Sequence, residues 1–221
     1  MKWTKPGGSA GSSDTRGYHH GNLKEALVRA ALELIAKKGP AGFTFAEAAR
    51  FAGVSPAAPY RHFRDRDELL VDVARRGFDL FETALARAWG GGRPNAFAAF
   101  ERLGKAYLRF AREEPAYYSA MFETGLSLES SPDLRTAGER AFGVLRAATE
   151  QLIAAMPAEN RPPVLMMALH LWALSHGIAS LFGRGDGAQR AAPIAPEELL
   201  EAAMLIYLRG LGLPDAPPPR G

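Results

Sequence analysis

Proline and glycine fall between stretches of helical period along almost the whole of this sequence, and that punctuation limits the fold more than any other feature. Breakers stand at Gly39 and Pro40, Gly53, Gly90–Gly92, Pro94, Pro115, Pro132, Pro157, Pro162 with Pro163, the glycines of 183–187, and Pro196. Between them apolar residues recur three and four apart, the helical spacing. No stretch alternates apolar and polar residues with β-branched enrichment, so strand signals are missing. The spacing predicts an all-α chain of about nine helices: 22–38, 45–52, a short helix opened by Ser55, 66–89, 95–113, 115–124, 132–155, 162–182 and 196–210.

The caps sharpen the first four. Asn22 with Glu25 makes a capping pair, and Leu23, Leu27, Ala30, Ala31 and Leu34 mark one face of the helix that follows. Thr44 and Glu47 have capping-box spacing, and Gly53 supplies a left-handed stop. Ser55 caps the third helix, with Pro56 at its first position, where a missing N–H costs nothing. Asp65 and Glu68 open the fourth.

Two short helices joined by a glycine turn within 44–63 form a helix-turn-helix pattern. Ala48, Ala49, Val54, Pro59 and Phe63 make its inward face, while Ala57, Tyr60 and Arg61 share an outward one. Thr44, Tyr60, His62 and Arg66 can donate to phosphate oxygens, which sets register without reading sequence. The helix N-terminus near Arg66 adds orphan N–H groups. Pro56, Ala57 and Ala58 carry no side-chain donors, so they are expected to read shape and thymine methyls; Arg61 could reach a guanine. A Tyr-x-His-Phe run also suits core aromatics with a satisfied histidine.

Charge agrees with a polyanion partner. Residues 1–70 hold eleven Lys and Arg against seven Asp and Glu, whereas the whole chain is only +3. There is no cysteine, which excludes disulfides, thiolate metal sites and cysteine nucleophiles. No uninterrupted apolar run reaches the roughly 18 residues of a membrane span. The polar, Gly/Ser-rich start lacks the apolar core of a signal peptide, so a cytoplasmic protein without membrane contact is expected. Adjacent His19 and His20 are a poor ligand set; no metal and no cofactor is expected, and the arm 16–22 either follows DNA or is inert.

In order, these features resemble the DNA-binding domain of the TetR (tetracycline-repressor) family over residues 18–80. The run 43–63, with Tyr60, His62 and Phe63 at its end, follows the family signature closely. The resemblance implies phosphate contacts by Tyr60, His62 and Arg66, the last in place of the usual lysine. Pro59 departs from the usual Leu or Ile and removes an N–H near the start of the third helix, which is expected to begin irregularly. Trp172, His176 and Gly177 resemble the Trp-His-Gly motif of one C-terminal group of the family.

The implied organisation is a flexible tail (1–17), a helix-turn-helix domain (18–66), a ligand-binding and dimerisation domain (67–213) joined through the fourth helix, and a second tail (214–221). Tyr107, Phe110, Tyr118, Met121, Phe122, Met167, Trp172 and His176 form the candidate site for a largely apolar small-molecule effector. They equally describe a bundle core, and His176 suits a pocket or an interface. The resemblance implies a homodimer through the helices at 162–182 and 196–210, bound to a near-palindromic double-stranded operator and released by ligand. A nonspecific architectural DNA-binding protein is the alternative. An enzyme is disfavoured because Ser175 and His176 are adjacent on a helix and point apart, and no phosphate loop is present.

Overall fold

The computed structural model describes residues 19–182 and 194–211, with side chains described from Leu23 onward. The expected tails, residues 16–18 of the basic arm and the 183–187 glycines lie outside the described residues. Eight α-helices are present: α1 His19–Lys38, α2 Phe45–Phe51, α3 Arg66–Trp89, α4 Ala96–Glu113, α5 Pro115–Phe122, α6 Pro132–Ala154, α7 Val164–Phe182 and α8 Pro196–Gly210. No strand occurs among the described residues.

Most boundaries follow the expected chemistry. Thr44 and Glu47 form the capping box of α2, and the Asp65 carboxylate accepts the Glu68 N–H at 2.9 Å to start α3. Asn95 does the same for Ala98 at 2.9 Å, and Ser131 for Leu134 at 3.4 Å ahead of Pro132. Gly39 and Gly53 take the left-handed conformation that stops α1 and the turn after α2.

Three expectations change. α1 begins at His19, so Asn22 lies inside the helix and does not cap it. Once Leu27, Ala31 and Leu34 are buried, extending the helix upstream needs only one further hydrogen bond per residue. α7 begins at Val164 because the Pro163 carbonyl, accepting the Met167 N–H at 3.1 Å, acts as its cap. The third helix is no α-helix: it is a single 3-10 turn, Ala58–Arg61, without a side-chain cap from Ser55. Pro59 removes the N–H that would make the first α-type bond to Ser55, leaving the shorter Ala58 N–H to Ser55 carbonyl bond at 3.0 Å.

α3 is the central element, packing against α1, α4, α5 and α6. Its buried face runs from Leu69 through Val73, Phe78 and Phe81 to Trp89. α5 lies against α1 as well as α3, so it contacts both the leading helices and the larger bundle. The close approach of α5 depends on Gly77, where a Cβ would stand 2.7 Å from the Met121 Sδ and 3.3 Å from the Tyr117 Cβ.

Val164–Phe182, with mean hydropathy 1.5, is long and apolar enough to cross a membrane, which corrects the expectation that no segment reaches that length. His170, Ser175 and His176 interrupt the run, but the surrounding apolar residues keep its average at 1.5. The helix is apolar on two sides: Met167, Ala168, Leu171, Ile178 and Ala179 are buried, while Leu165, Met166, Leu169 and Leu181 are exposed.

Gly77→Val should overpack the α3–α5 contact and lower unfolding stability by about 1–3 kcal/mol in urea titrations; an unchanged midpoint would show that α5 does not depend on this approach.

Candidate DNA-reading face and effector site

The outward face of the helix-turn-helix is built on a buried floor. Ala48, Ala49, Pro59 and Phe63 are buried, and Val54 is half-buried. Above them Ser55, Pro56, Ala57, Tyr60 and Arg61 are exposed, and Ala58 is half-buried. Tyr60 is 64% exposed, yet its ring is fixed edge-on against Phe45, centroids 5.1 Å apart. Phe45 was not among the expected site residues; it presents the tyrosine hydroxyl to solvent in one orientation.

The remaining expected contacts are differently placed. The Thr44 hydroxyl accepts the Glu47 N–H and donates to the Glu47 carboxylate, both at 3.2 Å, so its one proton is already used. Glu47 is held down at about 2, first by the Lys38 ammonium at 2.8 Å and then by the Thr44 N–H. Arg66 turns inward: its guanidinium donates to the Pro40 carbonyl, meets Asp67 at 3.2 Å and stacks over Phe43 at 4.9 Å. His62 is half-buried, and its Nε2 has no hydrogen-bond partner among the described residues. Thus the structure brings Ser55, Pro56, Ala57, Tyr60 and Arg61 to one exposed face, while Arg66 and His62 sit at its edge against α3.

An ion-pair clasp joins this head to the bundle. Arg76 of α3 grips Glu25 of α1 through two bonds of 2.6 and 2.7 Å and reaches Asp72 at 2.8 Å. Lys24 meets Asp72 at 3.2 Å. Further along α3, Arg140 of α6 bonds Asp79 and, at 2.8 Å, Glu82. The Arg76 hydrogen bond lowers the Glu25 pKa against the opposing effect of burial.

In the bundle, six of the eight expected effector residues (Tyr107, Phe110, Tyr118, Phe122, Trp172 and His176) meet in one aromatic cluster. Tyr107, Phe110, Tyr118, Met121 and Met167 are buried; Phe122, Trp172 and His176 are half-buried. The Tyr107 and Tyr118 hydroxyls both lie on His176 Nδ1, at 3.0 and 2.9 Å. Nδ1 has a single lone pair, so with Nε2 protonated it accepts fully from one hydroxyl, and the two tyrosine hydroxyls also bond each other. Burial pushes the His176 pKa down, opposed by the Glu123 charge, and burial raises both tyrosines. Trp172 meets Phe81, Tyr107, Phe122 and Phe142 edge-on, with centroids 5.5–6.2 Å apart. Phe81 and Phe142 were missed. Phe81 sits on the α3 stripe that reads as ordinary core, and nothing in its spacing marks it as part of a site. Met121 lies over Gly77, and Met167 is fully buried nearer the start of α7.

Residues 27–73 match the family model for bacterial regulatory proteins of the tetR family, and residues 100–207 match the tetracyclin repressor-like C-terminal domain. The chain belongs to the TetR family. It is a DNA-binding transcriptional regulator and not an enzyme. It is 27% identical to the class D tetracycline repressor protein of Escherichia coli, over 76% of this chain and 91% of that one. It is 42% identical over 52 residues to the HTH-type transcriptional regulator BetI of Rhizobium meliloti (strain 1021), a match spanning about a quarter of that protein's length. A solved structure of unknown function from Rhodococcus sp. RHA1 is 31% identical, with a TM-score of 0.74 over 90% of this chain and all of that one. The TetR family regulator PfmR from Thermus thermophilus shares the fold, with a TM-score of 0.64 at 22% identity over 83% of this chain and 97% of its own.

For a TetR family chain, the last two helices divide their apolar residues informatively. Leu200, Met204 and Leu208 of α8 are buried in the monomer, as a core reading requires. Ile206 is 73% exposed, and Leu199, Ala203, Tyr207 and Leu211 are half-buried. His170 and Met166 leave the aromatic cluster for the opposite, exposed side of α7, where His170 bonds Tyr207 at 2.9 Å. Gly177 faces open space, with nothing within 4 Å of a Cβ there.

A histidine whose folded pKa is lowered contributes stability above about pH 6.5, lost as pH falls through the folded value. Wild type should therefore lose thermal midpoint as pH falls below about 6.5, and His176→Phe should lose less over the same range; equal losses would place the titrating group elsewhere.

Proposed function

We propose that this regulator is a homodimeric, ligand-released repressor, reading a near-palindromic operator with its helix-turn-helix domain (18–66) and sensing an effector in the aromatic cluster. In this reading α3 crosses from the head into the sensing and dimerisation half (67–213). The protein acts where the DNA lies, in the cytoplasm.

The observation that carries the DNA assignment is the exposed, immobilised edge of Ser55, Pro56, Ala57, Tyr60 and Arg61 on a buried apolar floor. Tyr60 positions the head on phosphate, while Pro56, Ala57 and Ala58 fit the groove by shape. The unpartnered His62 Nε2 and the inward Arg66 are supported as phosphate contacts only after a small rearrangement of this edge. An orphaned buried nitrogen costs about 1–3 kcal/mol, which a phosphate oxygen or a bridging water would relieve.

Dimerisation is supported by the exposed stripe on α7 (Met166, Leu169, Ala173 and Leu181, with half-buried Gly177 among them), which together with Ile206 of α8 is too apolar and contiguous for open solvent. Gly177 allows a second helix to approach closely, and a two-fold contact uses the same patch twice. In this reading His176 belongs to the effector site and His170 to the interface. The same stripe makes a partner copy, rather than lipid, the reason for the apolarity of α7.

The effector cluster is lined by Phe81, Phe110, Phe122 and Trp172, with the two tyrosines and neutral His176 as its polar groups. A largely apolar, uncharged molecule fits those walls, since an unpaired charge there would be costly. Release follows if the ligand prefers a head spacing that the operator does not accept.

The test is binding to a duplex selected from a random library by the full chain, followed by fluorescence anisotropy. Tyr60→Phe should weaken binding to the selected duplex and to unrelated duplexes by a similar factor, about tenfold, with the salt slope unchanged because no charge is lost. Undiminished binding by the variant would remove Tyr60 from the interface.

A further inference from the structure

Beside the reading edge lies a groove of about 610 Å³, lined by Thr44, Ala46, Glu47, Arg50, Val54 and Pro56. Its floor is apolar, and most of its polar groups are already engaged. Glu47 takes the Lys38 ammonium and the Thr44 N–H, both at 2.8 Å, and the Thr44 hydroxyl at 3.2 Å. Arg50 is the exception. Its side chain is 81% exposed, and its approach to Glu47 is 3.9 Å, outside hydrogen-bond range. The guanidinium therefore offers its donors to solvent from the wall of a groove that includes Pro56, a member of the reading edge.

The irregular reading turn gives this arginine a task. Ala58–Arg61 is four residues of 3-10 helix, about 8 Å long at roughly 2.0 Å per residue. That covers little more than about two base-pair steps of roughly 3.4 Å. Pro56, Ala57 and Ala58 carry no side-chain donors, and guanine is recognised in the major groove through two acceptors, N7 and O6. Arg61 is the turn's one guanidinium, and a turn this short leaves the base pairs beside it to a neighbouring element. α2 is the neighbouring element, and Arg50 is the fork-shaped donor it presents to the same groove.

We propose that Arg50 is a base-reading residue, which discriminates a guanine beside the positions covered by the 58–61 turn. The inference rests on the DNA-reading assignment above and adds α2 as a second source of specificity. Glu47 holds the guanidinium only as a loose ion pair at 3.9 Å, while Lys38 and the Thr44 N–H take its carboxylate at 2.8 Å, so little is lost when Arg50 turns to a base.

Selection of duplexes from a random library by the full chain, repeated with Arg50→Ala and Arg50→Lys, tests this. The wild type should enrich a G·C pair at one position per half-site. Arg50→Ala should lose that preference by about tenfold or more while keeping discrimination elsewhere. Arg50→Lys should not restore it, because an ammonium lacks the planar fork. Unchanged thermal midpoints would show that both variants fold. The proposal is overturned if Arg50→Ala keeps the wild-type base preferences. That includes the case of an even loss of affinity on all duplexes with a salt slope shallower by about one, the sign of a phosphate contact. Should the wild type enrich no sequence at all, the DNA-reading assignment itself fails and this inference with it.

Discussion

The close approach of α5 to α3 at Gly77 is the contact on which the rest of the arrangement depends. Without a Cβ at Gly77, Met121 can lie directly on α3, and α5 comes close enough to touch α1 on its other side. That one short helix then carries Tyr118 and Phe122 into the aromatic cluster, where Tyr118 bonds His176 of α7. A helix of eight residues thus touches the leading helix, the central helix and the sensing cluster at once. Packed interfaces of this kind shift between discrete arrangements rather than deforming smoothly, so a change in the cluster has a short physical route to α1.

Rigid coupling needs a second attachment, and the ion-pair clasp provides it. Glu25, Arg76, Asp72 and Lys24 fasten α1 to α3 across 51 residues of sequence, and Arg140 fastens α6 to the next turns of the same helix. These groups are partly exposed, so their worth lies in orientation more than in stability. With α3 unbroken from Arg66 to Trp89, the head moves with the bundle or by bending at the 62–65 junction, not by sliding freely over it.

Much of the fold was legible because the information is local. Caps, prolines and positive-φ glycines mark helix ends within four residues, and Thr44 and Asp65 cap as their spacing suggests, whereas Asn22 and Ser55 do not. Ala57, Tyr60 and Arg61 are all exposed, but the spacing that put them on one side assumed an α-helix, and Ala58–Arg61 is a 3-10 turn. What stayed hidden depends on distant partners. Phe45 under Tyr60, Phe81 and Phe142 around Trp172, and the Glu25–Arg76 pair are all set by tertiary packing. Arg66 looked like a free phosphate donor, but the Phe43 ring and the Pro40 carbonyl, more than twenty residues upstream, draw it inward. Pro59 shows the limit in the other direction. Its irregular effect was foreseeable, but the collapse of a whole helix to one 3-10 turn follows from the single missing bond to Ser55.

The central claim is that two reading heads are held at a set spacing by a dimer whose aromatic cluster governs that spacing. Because the chain has no cysteine, a spin label at Arg29→Cys, exposed on α1 and outside the reading edge, reports the distance between the two heads by pulsed electron resonance. On the selected operator, with the two reading turns roughly one DNA turn apart (about 34–36 Å), the labels should give a single narrow distribution. In the free protein, His176→Ala, which removes the ring that both tyrosine hydroxyls meet, should broaden or displace that distribution relative to the parent. No inter-label distance at all would contradict the dimer. Identical free-protein distributions with and without His176 would contradict the coupling.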